Sequence, residues 1–101
     1  MNDNELLALF AQNKMVLVEF HASWCEPCKW AEPVVNEIMD HFKTSIHLVK
    51  LDIDSHPLIS RDFRVLSVPT FVLIKDGSEV WRMRGFDIAP VMIRSLEKFV
   101  V

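Results

Sequence analysis

Met15-Val16-Leu17-Val18-Glu19-Phe20-His21-Ala22-Ser23-Trp24-Cys25-Glu26-Pro27-Cys28-Lys29 is the stretch that decides the fold of this chain. From Met15 to His21 it is an apolar, β-favouring run broken chiefly by Glu19, which reads as a strand buried on both faces. Beyond it, Trp30, Val34, Ile38 and Phe42 recur every four residues and predict a helix from about Cys25 to Phe42. Cys25 therefore falls where a strand and its loop end and a helix begins. Four backbone N–H groups lack intrahelical partners there, and the macrodipole is positive. A thiolate at that point is stabilised, so Cys25 is expected to be the attacking sulfur, with a lowered pKa. Cys28 stands about one turn further in, on the same face and more buried. It is placed to attack a mixed disulfide formed at Cys25 and release the reduced substrate. Pro27 costs little in the first turn, where its missing N–H would be unbonded anyway.

Outward from this unit the chain alternates. Residues 3–12 read as a short amphipathic helix with Leu6, Leu7 and Phe10 on one face. Ile46–Ile53 reads as a second strand, and a short helix follows Pro57 to about Phe63. Thr70–Ile74 is a third strand, and Asp76-Gly77 marks a tight turn into a fourth over Glu79–Arg84. Asp87 reads as the N-cap of a final helix reaching Val101, with Pro90 in its first turn. The order α, β, α, β, α, β, β, α predicts an α/β fold. Its mixed four-stranded sheet would be flanked by helices on both faces, with a parallel pair from the crossover and antiparallel strands from the closing hairpin.

The 101 residues fit one domain, 1–101, and half of them are apolar, enough for a core without disulfide staples. A net charge of −3 and a pI near 5.7 argue against nucleic acid or an anionic membrane as the main partner. No stretch is long enough to span a bilayer. The opening Met1-Asn2-Asp3-Asn4-Glu5 is acidic and polar, unlike a secretory signal. The expectation is a cytoplasmic monomer. Both cysteines lie in Cys25-Glu26-Pro27-Cys28, too close together to staple distant segments, so the pair reads as reactive rather than structural. A zinc site is the rival reading. It would take four ligands, and with His21 as a third the fourth is not evident; no metal site is expected.

Trp24-Cys25-Glu26-Pro27-Cys28-Lys29 resembles the active site of the thioredoxin family, whose usual form has Gly in place of Glu26. Val16–Phe20 resembles the strand entering that site, Pro33 the family's helix-kinking proline, and Lys50-Leu51-Asp52-Ile53-Asp54 the next strand. Ser67-Val68-Pro69-Thr70 resembles the cis-proline loop, and Lys75-Asp76-Gly77 with Gly85 the last hairpin and its exit. The resemblance runs over about residues 5–101. It implies a thiol–disulfide oxidoreductase with no bound cofactor, which reduces protein disulfides and draws electrons from a flavin-dependent thioredoxin reductase or a similar donor.

The resemblance also assigns supporting roles. Glu19 would be the buried acid, usually Asp, that accepts the Cys28 proton, its pKa raised by burial; Lys50 would pair with it. The rival reading is an acid and a lysine on solvated faces. Pro69 would be cis, although sequence alone favours trans. The Val68 backbone, followed by Pro69 and Thr70, would receive an extended substrate strand. Trp24 reads as a lid beside Cys25 or as a core aromatic. Phe86, after Gly85, joins Trp24, Pro27 and Val68 in an apolar docking surface, or simply packs. His21 either tunes the thiolate or packs. Trp30 and Trp81 read as core or snorkelling aromatics. His41, His47 and His56 read as surface or capping residues.

Two departures from the family pattern bear on function. Glu26 places a negative charge near the attacking sulfur, which opposes the thiolate and lowers the reduction potential by about 15–30 mV relative to glycine. That favours a reductant over an isomerase or oxidase. Only 24 residues precede Cys25, so the family's extra edge strand before the first helix is expected to be missing, leaving one less protected edge. A binding or chaperone-like module that uses the same groove is the alternative of a different class.

Overall fold

Strand β1 (Met15–His21) sits inside the sheet, and its alternating side chains feed two separate cores. The computed structural model describes residues 1–100. Met15 and Leu17 point to one face, where they pack with Phe71, Leu73, Ala31, Val35, Ile38, Met92 and Leu96. Val16, Val18 and Phe20 point to the other, with Leu6, Phe10, Leu51, Ile59, Val72 and Ile74. Burial on both faces is why the strand shows no apolar–polar alternation.

The first face is covered by α2 (Glu26–Phe42) and α4 (Ala89–Glu97), the second by α1 (Asp3–Gln12) and α3 (Pro57–Asp62). A 3₁₀ turn over Lys43–Ser45 follows α2. With β2 (His47–Asp52), β3 (Thr70–Lys75) and β4 (Ser78–Arg84) the sheet runs in the order β2-β1-β3-β4. β1 and β2 are parallel, and the β1–β3 and β3–β4 pairs are antiparallel. This is the expected mixed sheet, with β2 as an edge strand that carries exposed His47 and Lys50, polar side chains of the kind that blunt an open edge. The tight turn between β3 and β4 uses Asp76 and Gly77, both at positive φ (51° and 84°).

Helix ends follow local chemistry. Asn2 and Glu5 form a capping box on α1, with Asn2 Oδ1 accepting from Glu5 N at 2.8 Å and Glu5 Oε1 accepting from Asn2 N at 3.0 Å. His56 Nδ1 lies 2.8 Å from Asp3 Oδ1 and ties the starts of α1 and α3 together.

Four readings need correction. Trp30 is not a core residue: it is 64% exposed. The buried stripe of α2 is Cys28, Ala31, Val35, Ile38 and Phe42, which alternates spacings of three and four. A strict spacing of four drifts around the helix, and Trp30 lies roughly 80° from Ile38 at 100° per residue. Leu7 is exposed because the core-facing side of α1 is formed by buried Leu6 and Phe10 with half-buried Leu9, and Leu7 lies roughly 100° round the helix from Leu6. Asp87 is not the N-cap of α4; Ile88 is, and Asp87 Oδ1 accepts from the Ile88 N–H one residue earlier, at 2.7 Å. The helix ends at Glu97 rather than at Val101, which lies outside the described residues. Trp81 is partly buried, and its Nε1 donates to Ser95 Oγ at 2.7 Å, as a snorkelling aromatic should.

Ile38→Ala is expected to cost about 2–5 kcal/mol in urea unfolding, and Trp30→Ala no more than about 0.5 kcal/mol. The reverse ranking would contradict the face assigned to α2.

Candidate active site

Cys25 is the N-cap residue of α2, with extended backbone (φ −93°, ψ 106°), and its Sγ accepts from the backbone N–H of Cys28 at 3.2 Å. The helix start thus aims a donor and the positive end of its dipole at this sulfur. Cys25 and Cys28 are joined by a disulfide, with Cα atoms 5.3 Å apart. Both are buried, in a small cluster with Ala22 against which Ile53 and Val68 pack. Cys25 Sγ lies 3.5 Å from the carbonyl oxygen of Val68. In the reduced protein that oxygen is a ready acceptor for the Cys25 thiol.

The loop on the far side of the disulfide is tightly stitched. The Val68–Pro69 bond is cis. Thr70 Oγ1 donates to the Ser67 carbonyl at 2.7 Å, and Gly85 N donates to the Pro69 carbonyl at 2.7 Å. Gly85 has φ 78°, a left-handed conformation that favours glycine. Pro69 and Thr70 are buried, while Val68 is half-buried against the cysteines. Phe86 is half-buried against the core between the sheet, α2 and α4, so its packing role is plain.

Trp24 is 65% exposed, and its Nε1 donates to Asp54 Oδ2 at 2.9 Å. That anchors the exposed ring to the end of β2, so Trp24 is not a core aromatic. Asp54 in turn is held by a turn at the end of β2, where Asp52 Oδ1 accepts from the N–H groups of Asp54 (2.8 Å) and Ser55 (3.3 Å). The sequence reading did not give Asp54 a part. Thirty residues separate it from Trp24, and only the parallel β1–β2 pairing brings the two strand ends together. Pro27 and Glu26 are exposed, and the Glu26 carboxylate lies 3.2 Å from Lys29 Nζ. The solvated pair offsets part of the charge that Glu26 brings to the sulfur.

Behind Cys28 a cleft of about 210 Å³ is lined by Glu19, His21, Lys29, Glu32 and Lys50 as well as by Cys28 itself. Glu19 is only 2% exposed, and its Oε1 has no hydrogen-bond partner in the protein. Burial pushes its carboxyl pKa up; Lys50 lowers it, and Glu32 raises it further. Lys50 is the direct partner of Glu19 across the parallel ladder. It does not close an ion pair with Glu19 among the described residues, because its side chain is exposed at the mouth of the cleft. The reading of these two as solvated-face residues fails for Glu19. No cluster of three or more His, Cys, Asp or Glu side chains fit to hold a metal occurs among the described residues.

The thioredoxin family model matches residues 2–98. The chain belongs to the thioredoxin family. A thioredoxin-like protein of Synechocystis is 39% identical over 99 residues, covering 98% of this chain and 92% of that protein. The thioredoxin of Mycobacterium tuberculosis is 41% identical over 92 residues, covering 91% of this chain and 79% of the relative. In structure, mitochondrial thioredoxin 3 of Saccharomyces cerevisiae in its oxidised form superposes with a TM-score of 0.88 at 30% identity, covering 97% of this chain and 91% of that one. Family membership and the Cys25–Cys28 pair make the protein a thiol–disulfide oxidoreductase of the protein disulfide reductase type. Thioredoxins act on disulfide substrates and are reduced by thioredoxin reductase. No helix among the described residues is long and apolar enough to cross a membrane.

The raised pKa of Glu19 has a definite sign in stability. Below the ordinary value of 4.5 the acid is protonated whether folded or not. As the pH climbs through its higher folded-state value the buried carboxylate must ionise, and stability is lost. Glu19→Gln is therefore expected to be more stable than wild type at pH 8, by about 1–3 kcal/mol, and about equal to it near pH 4. Urea unfolding at the two pH values checks this, and a pH-independent difference would contradict it.

Proposed function

We propose that Cys25 attacks the substrate disulfide and Cys28 resolves it. The Cys25 thiolate bonds to one substrate sulfur and expels the other as a thiolate, leaving a mixed disulfide. Glu19 takes the Cys28 proton across the cleft, and the Cys28 thiolate attacks the Cys25 sulfur. The Cys25–Cys28 disulfide closes, the second substrate thiolate leaves, and two electrons have passed to the substrate. The observation that carries this assignment is the position of Cys25 Sγ at the helix N-cap, where it accepts the Cys28 N–H. Cys28 faces the cleft that holds the buried acid, which supports its role as the sulfur that must be deprotonated second. Lys50, at the mouth of that cleft, steadies the Glu19 charge once it forms.

Around this pair we assign docking to Trp24, Glu26 and Pro27 on one side and to Val68, Pro69, Thr70 and Gly85 on the other, with Phe86 supporting the last loop from within. An extended substrate segment would pair with the backbone at Val68, with Pro69 keeping any competing side chain away from the sulfurs. The chain works as a monomer in a reducing compartment, the cytoplasm, and a thioredoxin reductase returns it to the dithiol form. No bound cofactor enters the exchange.

Titration in a thiol buffer is expected to give a reduction potential near or below about −250 mV. A value above about −200 mV would overturn the reductant assignment in favour of an isomerase or oxidase. Glu26→Gly is expected to raise the potential by less than about 15–30 mV, since Lys29 already offsets part of that charge. Cys28→Ser is expected to accumulate a mixed disulfide through Cys25 with an oxidised protein substrate on non-reducing gels, and Cys25→Ser is not. Trapping by Cys25→Ser instead would reverse the roles of the two sulfurs.

A further inference from the structure

Four of the five arginines of this acidic chain, Arg61, Arg64, Arg82 and Arg84, lie together beside the active-site loop. The concentration is chemical as well as numerical. An open groove of about 540 Å³ is lined by the apolar side chains of Ile53, Val65 and Leu66 and by Arg61, Arg64 and Arg84. Leu66 is 78% exposed. Ser60, itself buried, also lines the groove, and its Oγ has no hydrogen-bond partner in the protein.

The three groove arginines are not spent on internal partners. Arg82 is: it binds Glu79 through Nε (2.9 Å) and a terminal nitrogen (2.8 Å) and donates to the carbonyls of Phe63 (2.6 Å) and Arg64 (3.4 Å). Those bonds fix the turn that presents Arg64. Arg61 meets only Asp62, at 3.7 Å with both side chains exposed, while Arg64 and Arg84 have no acidic partner within 4 Å among the described residues.

The groove adjoins the redox pair through Ile53. Ile53 packs on the cluster of Ala22, Cys25 and Cys28. Leu66 precedes Val68, whose carbonyl faces Cys25 Sγ, by two residues. Arg84 pairs across the β3–β4 ladder with Thr70, next to Pro69.

We propose that this groove selects disulfide substrates bearing an acidic segment, with an apolar side chain on Ile53, Val65 and Leu66 and carboxylates on Arg64, Arg84 and Arg61. The selection rests on the reductase assignment above and names its substrate class. Charge complementarity decides the occupant. A positive lining on a protein of net charge −3 steers an acidic segment to one face while the rest of the surface repels it, and the apolar side chains reward an amphipathic peptide over a bare anion.

The test compares initial rates of reduction for two peptides with the same internal disulfide, one flanked by Asp and Leu, the other by Lys and Leu. At about 10 mM salt, where the Debye length is about 30 Å, wild type is expected to reduce the acidic peptide about tenfold faster in kcat/KM. That preference should shrink at 0.5 M salt and invert in the Arg64→Glu, Arg84→Glu double variant. Hydroxyethyl disulfide, small and uncharged, reads the dithiol chemistry alone and should be reduced equally by both proteins. Its reduction with no preference between the peptides would overturn the groove assignment and leave the reductase standing. Failure to reduce it at all would overturn both. A labelled RNA oligonucleotide that binds with the same arginine dependence, in the absence of any peptide preference, would overturn the assignment in favour of a nucleic-acid surface.

Discussion

The rest of the structure depends on burying β1 between two helical layers. An almost wholly apolar strand is stable only if both its faces are covered, and that requirement places α2 and α4 on one side and α1 and α3 on the other. It also fixes where the chemistry happens. The chain leaves the carboxyl end of β1 and must turn back over the sheet as α2, so the first turn of α2, with its unpaired N–H groups, stands at the sheet's carboxyl edge. The parallel strand β2 ends at the same edge and delivers Ile53 and Asp54. Antiparallel β3 begins there and delivers Val68, Pro69 and Thr70. β4 ends there, at Arg84 and Gly85. Four separated segments meet at one edge because of strand direction alone.

The same burial explains the cost and the use of Glu19. It occupies the β1 face that packs towards α2, in step with Met15 and Leu17, and takes the place a hydrophobe would hold for stability. A carboxyl group with an unpaired oxygen there weakens the fold whenever it is ionised. On the proposed mechanism its value lies in the neighbouring Cys28 sulfur, which must lose a proton inside the protein. The fold carries a local penalty beside Cys28, and the surrounding apolar contacts absorb it.

Electrostatics is divided in space. The helix start and the Val68 carbonyl act on Cys25 from within, at fixed distances. Glu26 and Lys29 act on it from the solvent side, where screening weakens them. The arginines act further out, at the end of the sheet where β4 leaves, and bear on which partner approaches rather than on the sulfur itself.

The element order, the mixed sheet, the redox pair and its helix-start setting were legible in residue types and spacing. Each depends on local chemistry: a continuous apolar run, a cysteine before a helix, a proline in its first turn. The role of the buried acid came through resemblance, and its setting, an unpaired oxygen in a cleft beside Cys28, is tertiary. Sequence periodicity placed Trp30 and Leu7 on core-facing stripes, and packing left them out: a stripe of four-residue steps such as that of Trp30 cannot stay on one face of a straight helix, and Leu7 lies to one side of the face that Leu6 and Phe10 bury. The hydrogen bond from Trp24 to Asp54, the open spacing between Glu19 and Lys50, and the arginine-lined groove join residues distant in the chain. The sequence by itself determined which chemistry the protein can perform, since thiols at a helix start carry their own activation. Only the tertiary structure decided what stands around them, because contacts across strands are set by register and direction, which no local pattern encodes.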